Sequence, residues 1–147
     1  MIHRIVRILF ILLILSASAV FSAEFKNSSD VVKRLSSYGI SDIDGDQERL
    51  RKKQRLRIDD MFEDLKAANA ALKNQTITVD AAYEIQRVSL LTSLHDPTLF
   101  AVQLVVPVAK KNKSAFAAAR LRFHPVDREL LEDFFVRSQF FCEKKCD

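Results

Sequence analysis

The residues with the clearest chemical potential are a dense run of basic side chains in the first half of the chain. The segment Lys52-Lys53-Gln54-Arg55 has the close basic spacing typical of sites for sulfated polysaccharides and other polyanions. We expect six residues to bind such a partner: Arg49, Arg51, Lys52, Lys53, Arg55 and Arg57. The alternative is a solvated helix face, because Glu48 lies one helical turn before Lys52 and pairs part of the charge.

An acidic turn, Asp42-Ile43-Asp44-Gly45-Asp46, precedes the basic run and looks like the opening of a calcium-binding loop. Alternate carboxylates supply the hard oxygen ligands that calcium prefers. An EF-hand loop also needs glycine at its sixth position and glutamate at its twelfth, and this chain has Gln47 and Lys53 there. We therefore predict no metal site, and expect Asp46 to cap the helix that follows.

Two cysteines, Cys142 and Cys146, lie close together at the C-terminus. An even cysteine count in an exported protein favours a disulfide, so we predict a local bond between them. Their spacing fits a regular helix poorly, and the last turn would have to unwind. A cross-link between chains and a metal pair with His95 or His124 are the alternatives.

Three asparagines stand in the acceptor pattern for N-glycosylation: Asn27, Asn74 and Asn112. Each falls in a predicted loop or at a helix end, where a glycan would be tolerated. The competing explanation is coincidence, because asparagine, serine and threonine all favour caps and turns.

No complete catalytic motif occurs in the sequence. It has neither a His-Glu-x-x-His pair nor a Gly-x-Ser-x-Gly elbow, and its two glycines cannot form a glycine-rich phosphate loop. We expect no catalytic residues and no cofactor.

The first 22 residues have the parts of a cleavable signal peptide: Arg4 and Arg7, an apolar run at 8–15, and small residues around 16–19. The apolar run is short for a membrane span, so we expect no stable membrane insertion after cleavage. Loss of the leader lowers the net charge from +4 to about +2, which argues against a nucleic-acid partner. We predict a secreted protein, with a bacterial periplasm as the alternative.

Residues 23–147 are enough for one small domain, and few glycines and prolines argue for long elements with short joints. A short helix follows Asn27, a long one spans 47–73, and a third runs from Thr78 to His95. Period-two alternation at 99–108 and 120–124 predicts an antiparallel hairpin, although 115–119 could equally be helical. A last helix from Pro125 completes an α+β fold of about four helices.

These expectations favour a secreted, non-catalytic interaction protein, and its partner is an unknown protein or an anionic polysaccharide. In the last helix Val136 and Phe140 point away from the core and form a small contact site, which also allows a homo-oligomer. The alternative function is a module that holds an apolar ligand between the hairpin and the helices. Five aromatic residues would line that pocket: Phe100, Phe116, Phe123, Phe134 and Phe135.

Overall fold

The computed structural model of this chain describes residues 24–96, 98 and 100–142, without the side chains of 138–142. Within these residues every regular element is a helix and there is no strand. The expected α+β fold with an antiparallel hairpin is therefore wrong. In chain order the helices are α1 (Ser28–Leu35), α2 (Ile40–Asp44), α3 (Asp46–Arg51), α4 (Arg57–Leu72), α5 (Val79–Ser93), α6 (Phe100–Lys111), α7 (Lys113–Arg120) and α8 (Pro125–Cys142).

The helix predicted at 78–95 is confirmed as α5, which lies at the centre of the molecule and contacts α1, α4, α6, α7 and α8. Thr78 begins it, because its hydroxyl oxygen accepts a 3.2 Å hydrogen bond from the N–H of Ala81. One apolar side of α5 is fully buried, whereas on the other side Tyr83 and Leu90 are half-buried and Leu94 is exposed. The fully buried residues include Ala81, Ala82, Ile85 and Val88.

Within the first predicted strand, 99–108, the described residues 100–108 belong to α6. Its buried residues follow helical spacing: Ala101, Val102, Val105, Val106, Val108 and Ala109. Apolar residues occupy almost every position of this segment, so the alternate ones are apolar whichever element forms. Asp96 starts the helix, because its carboxylate accepts a 2.7 Å hydrogen bond from the N–H of Phe100.

Pro107 lies inside α6, where a proline removes a backbone donor. The side-chain oxygen of Asn69, on α4, accepts a 3.2 Å hydrogen bond from the N–H of the next residue, Val108. This bond satisfies a donor beside the proline and joins α4 to α6.

The second predicted strand, 120–124, lies at the end of α7 and in the turn after it. The N–H of Phe123 donates a 3.1 Å bond to the carbonyl of Arg120 in this turn. Phe116 and Ala119 form the buried face of α7. The helical alternative for 115–119 is therefore confirmed. The described residues contain no strand, so the predicted hairpin does not form.

The long helix predicted at 47–73 is interrupted. α3 ends at Arg51, and Lys53 has left-handed backbone geometry with φ of 54°. The carboxylate of Asp46 accepts the N–H groups of Arg57 at 2.7 Å and Ile58 at 3.0 Å. Asp46 thus caps α4 across the break, and does not cap a continuous helix as predicted.

The predicted first and last helices are confirmed as α1 and α8. The side-chain oxygen of Asn27 accepts the N–H groups of Ser29 and Asp30 and so caps α1. In α8, Leu131 and Phe135 are buried, whereas Leu130 is exposed.

Candidate functional site

Two of the six basic residues predicted to bind polyanions pair with carboxylates of neighbouring helices: Arg57, which is half-buried, and Arg55, which is exposed. Nε of Arg57 donates to Asp42 and Nη1 donates to Asp60, both at 3.1 Å. Nε of Arg55 donates to Asp60 at 2.5 Å. Burial opposes the charge of Arg57, but the bond to Asp42 and the nearby carboxylates of Asp42 and Asp60 together outweigh it and raise the pKa of Arg57 above its ordinary value. Arg57 is therefore a structural residue.

The rest of the basic run lies around the end of α3. Arg51, Lys52 and Lys53 are exposed, and Arg49 is half-exposed. Arg51 and Lys52 pair with Glu48 at 3.6 and 3.2 Å. Exposed pairs of this kind hold their side chains weakly, so these cations remain accessible to a ligand.

The acidic turn is used for capping. Asp42 accepts the N–H of Gly39 at 2.9 Å as well as Nε of Arg57. Burial would raise the pKa of Asp42, but these two donors hold it below its ordinary value. Among the described residues no three His, Cys, Asp or Glu side chains are placed to share a metal ion.

The three predicted glycosylation sites differ in their surroundings. Asn27 and Asn74 are exposed, whereas Asn112 is buried. The amide of Asn112 donates to the carbonyls of Gln75 and Val108, both at 3.1 Å, and its oxygen accepts the N–H of Ile77 at 3.1 Å. A glycan on Asn112 would displace these bonds in the folded protein.

The predicted disulfide between Cys142 and Cys146 needs correction. No disulfide at bonding distance occurs in the part of the chain that the structure describes. Cys142 lies in the last turn of α8, where regular helical geometry fits such a bond poorly, and Cys146 falls outside the described residues.

The predicted contact site on α8 is described only in part. Val136 is 61% exposed, and the side chain of Phe140 lies outside the description. Of the aromatic residues expected around an apolar ligand, Phe116, Phe123 and Phe135 are buried in the core. The pocket predicted beside a hairpin is absent from the described residues, because 99–108 and 120–124 do not form strands.

A buried polar cluster joins α1 to α4, and the sequence analysis did not find it. The carboxylate of Asp64 accepts the hydroxyl of Tyr38 at 2.5 Å and Nε of Arg34 at 2.6 Å. Burial, and next the bond to Asp64, raise the pKa of Tyr38 far above its ordinary value. Tyr38 therefore stays protonated and serves the fold. Asp64 lies three residues after Met61 and one before Leu65, on the buried face of α4. A carboxylate at that position was the one feature of the sequence that could have predicted this cluster.

An apolar concavity lies between the C-terminal half of α5 and the start of α8, with α2 at its edge. This α5–α8 groove has a volume of about 370 Å³. Its lining residues are Ile40, Tyr83, Arg87, Leu90, Leu91, Leu94, Phe123, Asp127 and Leu130. The rings of Tyr83 and Phe123 pack together, with centroids 4.7 Å apart. Ile40, Leu94 and Leu130 are respectively 59%, 61% and 41% exposed.

Arg87 positions the edge of this groove. Its Nη1 donates to the carbonyl of Tyr38 and its Nη2 donates to the carbonyl of Leu35, both at 2.7 Å. Nε donates to Glu84 at 2.8 Å, which fixes the guanidinium on α5. These bonds tie the end of α1 to α5, and Ile40 follows two residues after Tyr38. The side chain of Ile40 is thereby held beside the leucines of α5.

One charged group in the groove lacks a partner. Asp127 lies in the first turn of α8 and has no hydrogen bond or ion pair to any described residue. The favourable field of a helix N-terminus stabilises its charge, but that leaves its oxygens available to a ligand. The groove thus combines aliphatic side chains with a single available carboxylate.

None of the helices within the described residues is both long enough and apolar enough to cross a membrane. No protein-family model matches the chain, and no significant match exists among curated proteins or solved structures.

Proposed function

We propose that this chain is an exported, non-catalytic binding protein that docks an amphipathic helix of a partner protein in the α5–α8 groove. The observation that carries the proposal is the exposure of Ile40, Leu94 and Leu130 around one concave surface. Exposed apolar residues gathered in a groove are typical of protein-interaction sites. Export rests on the predicted leader at residues 1–22, and the non-catalytic character rests on the lack of a complete catalytic motif.

The form of the groove favours a helical ligand. A volume of about 370 Å³ accommodates a few side chains but not a whole helix. An amphipathic helix presents such side chains at positions i, i+3 or i+4, and i+7 on one face. Asp127 adds a preference, because an unpaired carboxylate beside apolar contacts is matched best by lysine or arginine. The proposed partner therefore has an apolar stripe flanked by a basic residue.

A panel of synthetic amphipathic helical peptides tests this proposal. The peptides share one apolar stripe and carry either lysine or glutamate at a flanking position, and binding to the mature protein is measured by fluorescence anisotropy. We expect the lysine peptides to bind more tightly, and expect the preference to disappear in Asp127→Asn. Leu94→Ser and Ile40→Ser should each weaken binding about tenfold or more, as loss of a buried apolar contact does.

Leu121→Ser is the matched control, because Leu121 is also an exposed leucine, 68% accessible, but lies outside the groove. Equal losses in Leu94→Ser and Leu121→Ser would overturn the proposal, as would equal binding of the lysine and glutamate peptides. If the protein instead forms a dimer that Ile40→Ser and Leu94→Ser dissociate in sedimentation experiments, the occupant is a second copy and the proposed partner is wrong.

A second candidate function is binding of an anionic polysaccharide at the end of α3. The specific observation in its favour is the exposure of Arg51, Lys52 and Lys53. Their only anionic contact within the described residues is Glu48, at surface distances that a polyanion could compete for.

A further inference from the structure

A separate pocket lies along one face of α7, against the end of α6 and the middle of α8. We name it the α7 pocket. It has a volume of about 330 Å³, and its lining residues are Ala109, Lys113, Phe116, Ala117, Arg120 and Phe135. The α7 residues in this set are spaced as one helical face. Phe116 and Phe135 form an apolar floor, with ring centroids 5.7 Å apart.

Both charged residues of the α7 pocket are basic, and neither is neutralised. Lys113 and Arg120 form no ion pair with a described residue, and no acidic side chain lines the pocket. The buried Nε of Arg120 has no hydrogen-bond partner. A buried donor without an acceptor is costly, and this atom is enclosed by the protein, so a ligand would reach Arg120 through those of its atoms that line the pocket.

The two cations differ in how well fold stability accounts for them. Lys113 stands in the first turn of α7, where a positive charge opposes the helix dipole. Arg120 lies in the last turn, where the helix dipole favours a positive charge, and its guanidinium lies over the ring of Phe135 at 5.9 Å from its centroid. No carboxylate of the described residues neutralises either cation, so an anion in the pocket would stabilise both charges.

We propose that the α7 pocket binds a small amphiphilic carboxylate such as a medium-chain fatty acid. The carboxylate accepts hydrogen bonds from Arg120, and the hydrocarbon chain lies over Phe116 and Phe135 towards Lys113. Lys113 is roughly 10 Å from Arg120 along the helix, so it attracts the anion through its field without sharing its hydrogen bonds. The lining of the pocket is divided about evenly between polar and apolar surface, which suits a small ligand with one charged and one apolar part.

Decanoate labelled with ¹³C at its carboxyl carbon is the probe, titrated into the mature protein and followed by NMR and calorimetry. We expect saturable binding at one site. Decanol should bind about tenfold more weakly or worse, because it lacks the charge that strengthens the hydrogen bonds. Acetate should show no saturable binding, because it lacks the apolar body. Arg120→Gln should weaken decanoate binding about tenfold or more, and Lys113→Gln should weaken it less.

Two alanines of α7 provide a matched pair of variants. Ala117 lines the pocket and Ala118 does not, while both are exposed and both tolerate leucine in a helix. We expect Ala117→Leu to fill the pocket and abolish decanoate binding, and expect Ala118→Leu and Arg137→Gln to bind as the wild type does. Circular dichroism checks that each variant folds.

Several results would overturn this inference. They are an absence of saturable binding, equal binding of decanoate and decanol, and equal binding by the Ala117→Leu and Ala118→Leu proteins. Loss of binding in Leu94→Ser with retention in Ala117→Leu would place the fatty acid in the α5–α8 groove instead. Failure of the peptide experiment leaves these expectations unchanged, because the two sites share no lining residue.

Discussion

The hydroxyl of Tyr38 donates a 2.5 Å hydrogen bond to the buried carboxylate of Asp64, which connects the turn after α1 to the middle of α4. We expect Tyr38→Phe to lower the free energy of unfolding by about 1–3 kcal/mol, because it leaves a buried charged acceptor with one donor fewer. Urea denaturation measures the change. Tyr83→Phe is the control, because no described residue accepts a hydrogen bond from that hydroxyl, and equal losses in the two variants would contradict the assignment.

Asp42 predicts an acid-sensitive contribution to stability. Its pKa is lower in the folded protein than in the unfolded chain, so its stabilisation is present above the ordinary aspartate pKa of about 4. That stabilisation is lost as the pH falls through the folded-state pKa. We expect the stability difference between the wild type and Asp42→Asn to be largest near neutral pH and to shrink in acid.

Urea unfolding at several pH values between neutral and acid measures this difference. Asp44→Asn is the control, because Asp44 is exposed in the same turn and has no hydrogen bond or ion pair within the described residues. A difference that grows towards acid pH would show that the sign of the Asp42 contribution is wrong.

Substitutions of Leu130 and Leu131, which are adjacent in α8, should affect different properties of the protein. Leu131 is fully buried, so Leu131→Ala should cost about 2–5 kcal/mol of stability. Leu130 lies in the α5–α8 groove and is largely exposed, so Leu130→Ala should change stability by less than about 1 kcal/mol while weakening peptide binding. Thermal unfolding and anisotropy separate the two effects. A large stability loss in Leu130→Ala would show that it is a core residue and not part of the binding surface.

Within the basic run, we expect some residues to affect polyanion binding and others to affect fold stability. Neutralising Arg51, Lys52 and Lys53 together should shorten retention on a heparin column and leave the melting temperature unchanged. Arg57→Gln should do the reverse, because Arg57 pairs with Asp42 and Asp60. Unchanged retention in the triple variant would identify the run as a solvated face.

The predicted signal peptide at the N-terminus leads to a prediction about cleavage during export. We expect the mature protein to lack the first ~19–22 residues, the length typical of a signal peptide. N-terminal sequencing of material collected outside the producing cell checks this. Secreted protein that begins at Met1 would contradict it.

Helix caps and apolar spacing within a short segment of sequence correctly predicted the helices that depend on those features. Thr78 and Asn27 start their helices through their own side chains, and the apolar stripe through Met61 and Leu65 lies on one face of α4. α6 was not predictable in the same way, because its many valines are apolar in either period and favour strands intrinsically. Packing against α4, α5 and α8 overrides that preference.

The break before α4 and both proposed sites depend on contacts between distant residues. Nothing near Lys53 in the sequence indicates that Asp46 will cap Arg57 and Ile58 across the turn. The α5–α8 groove likewise requires Ile40 to reach α5, which depends on the bonds from Arg87 to Tyr38 and Leu35. Side chains at such separations meet only once the helices have packed, so neither site has a sequence motif.

Because the side-chain amide of Asn112 is buried in the folded protein, its glycosylation depends on whether glycan transfer precedes folding. A sugar transferred to this nitrogen must arrive before α6 and α7 dock onto the loop that carries Gln75 and Ile77, because afterwards the amide is occupied and covered. Asn74, a short distance away in the same loop and exposed, remains open to transfer at any time. In a eukaryotic host, the ratio of modification at the two positions therefore measures whether folding or glycan transfer came first.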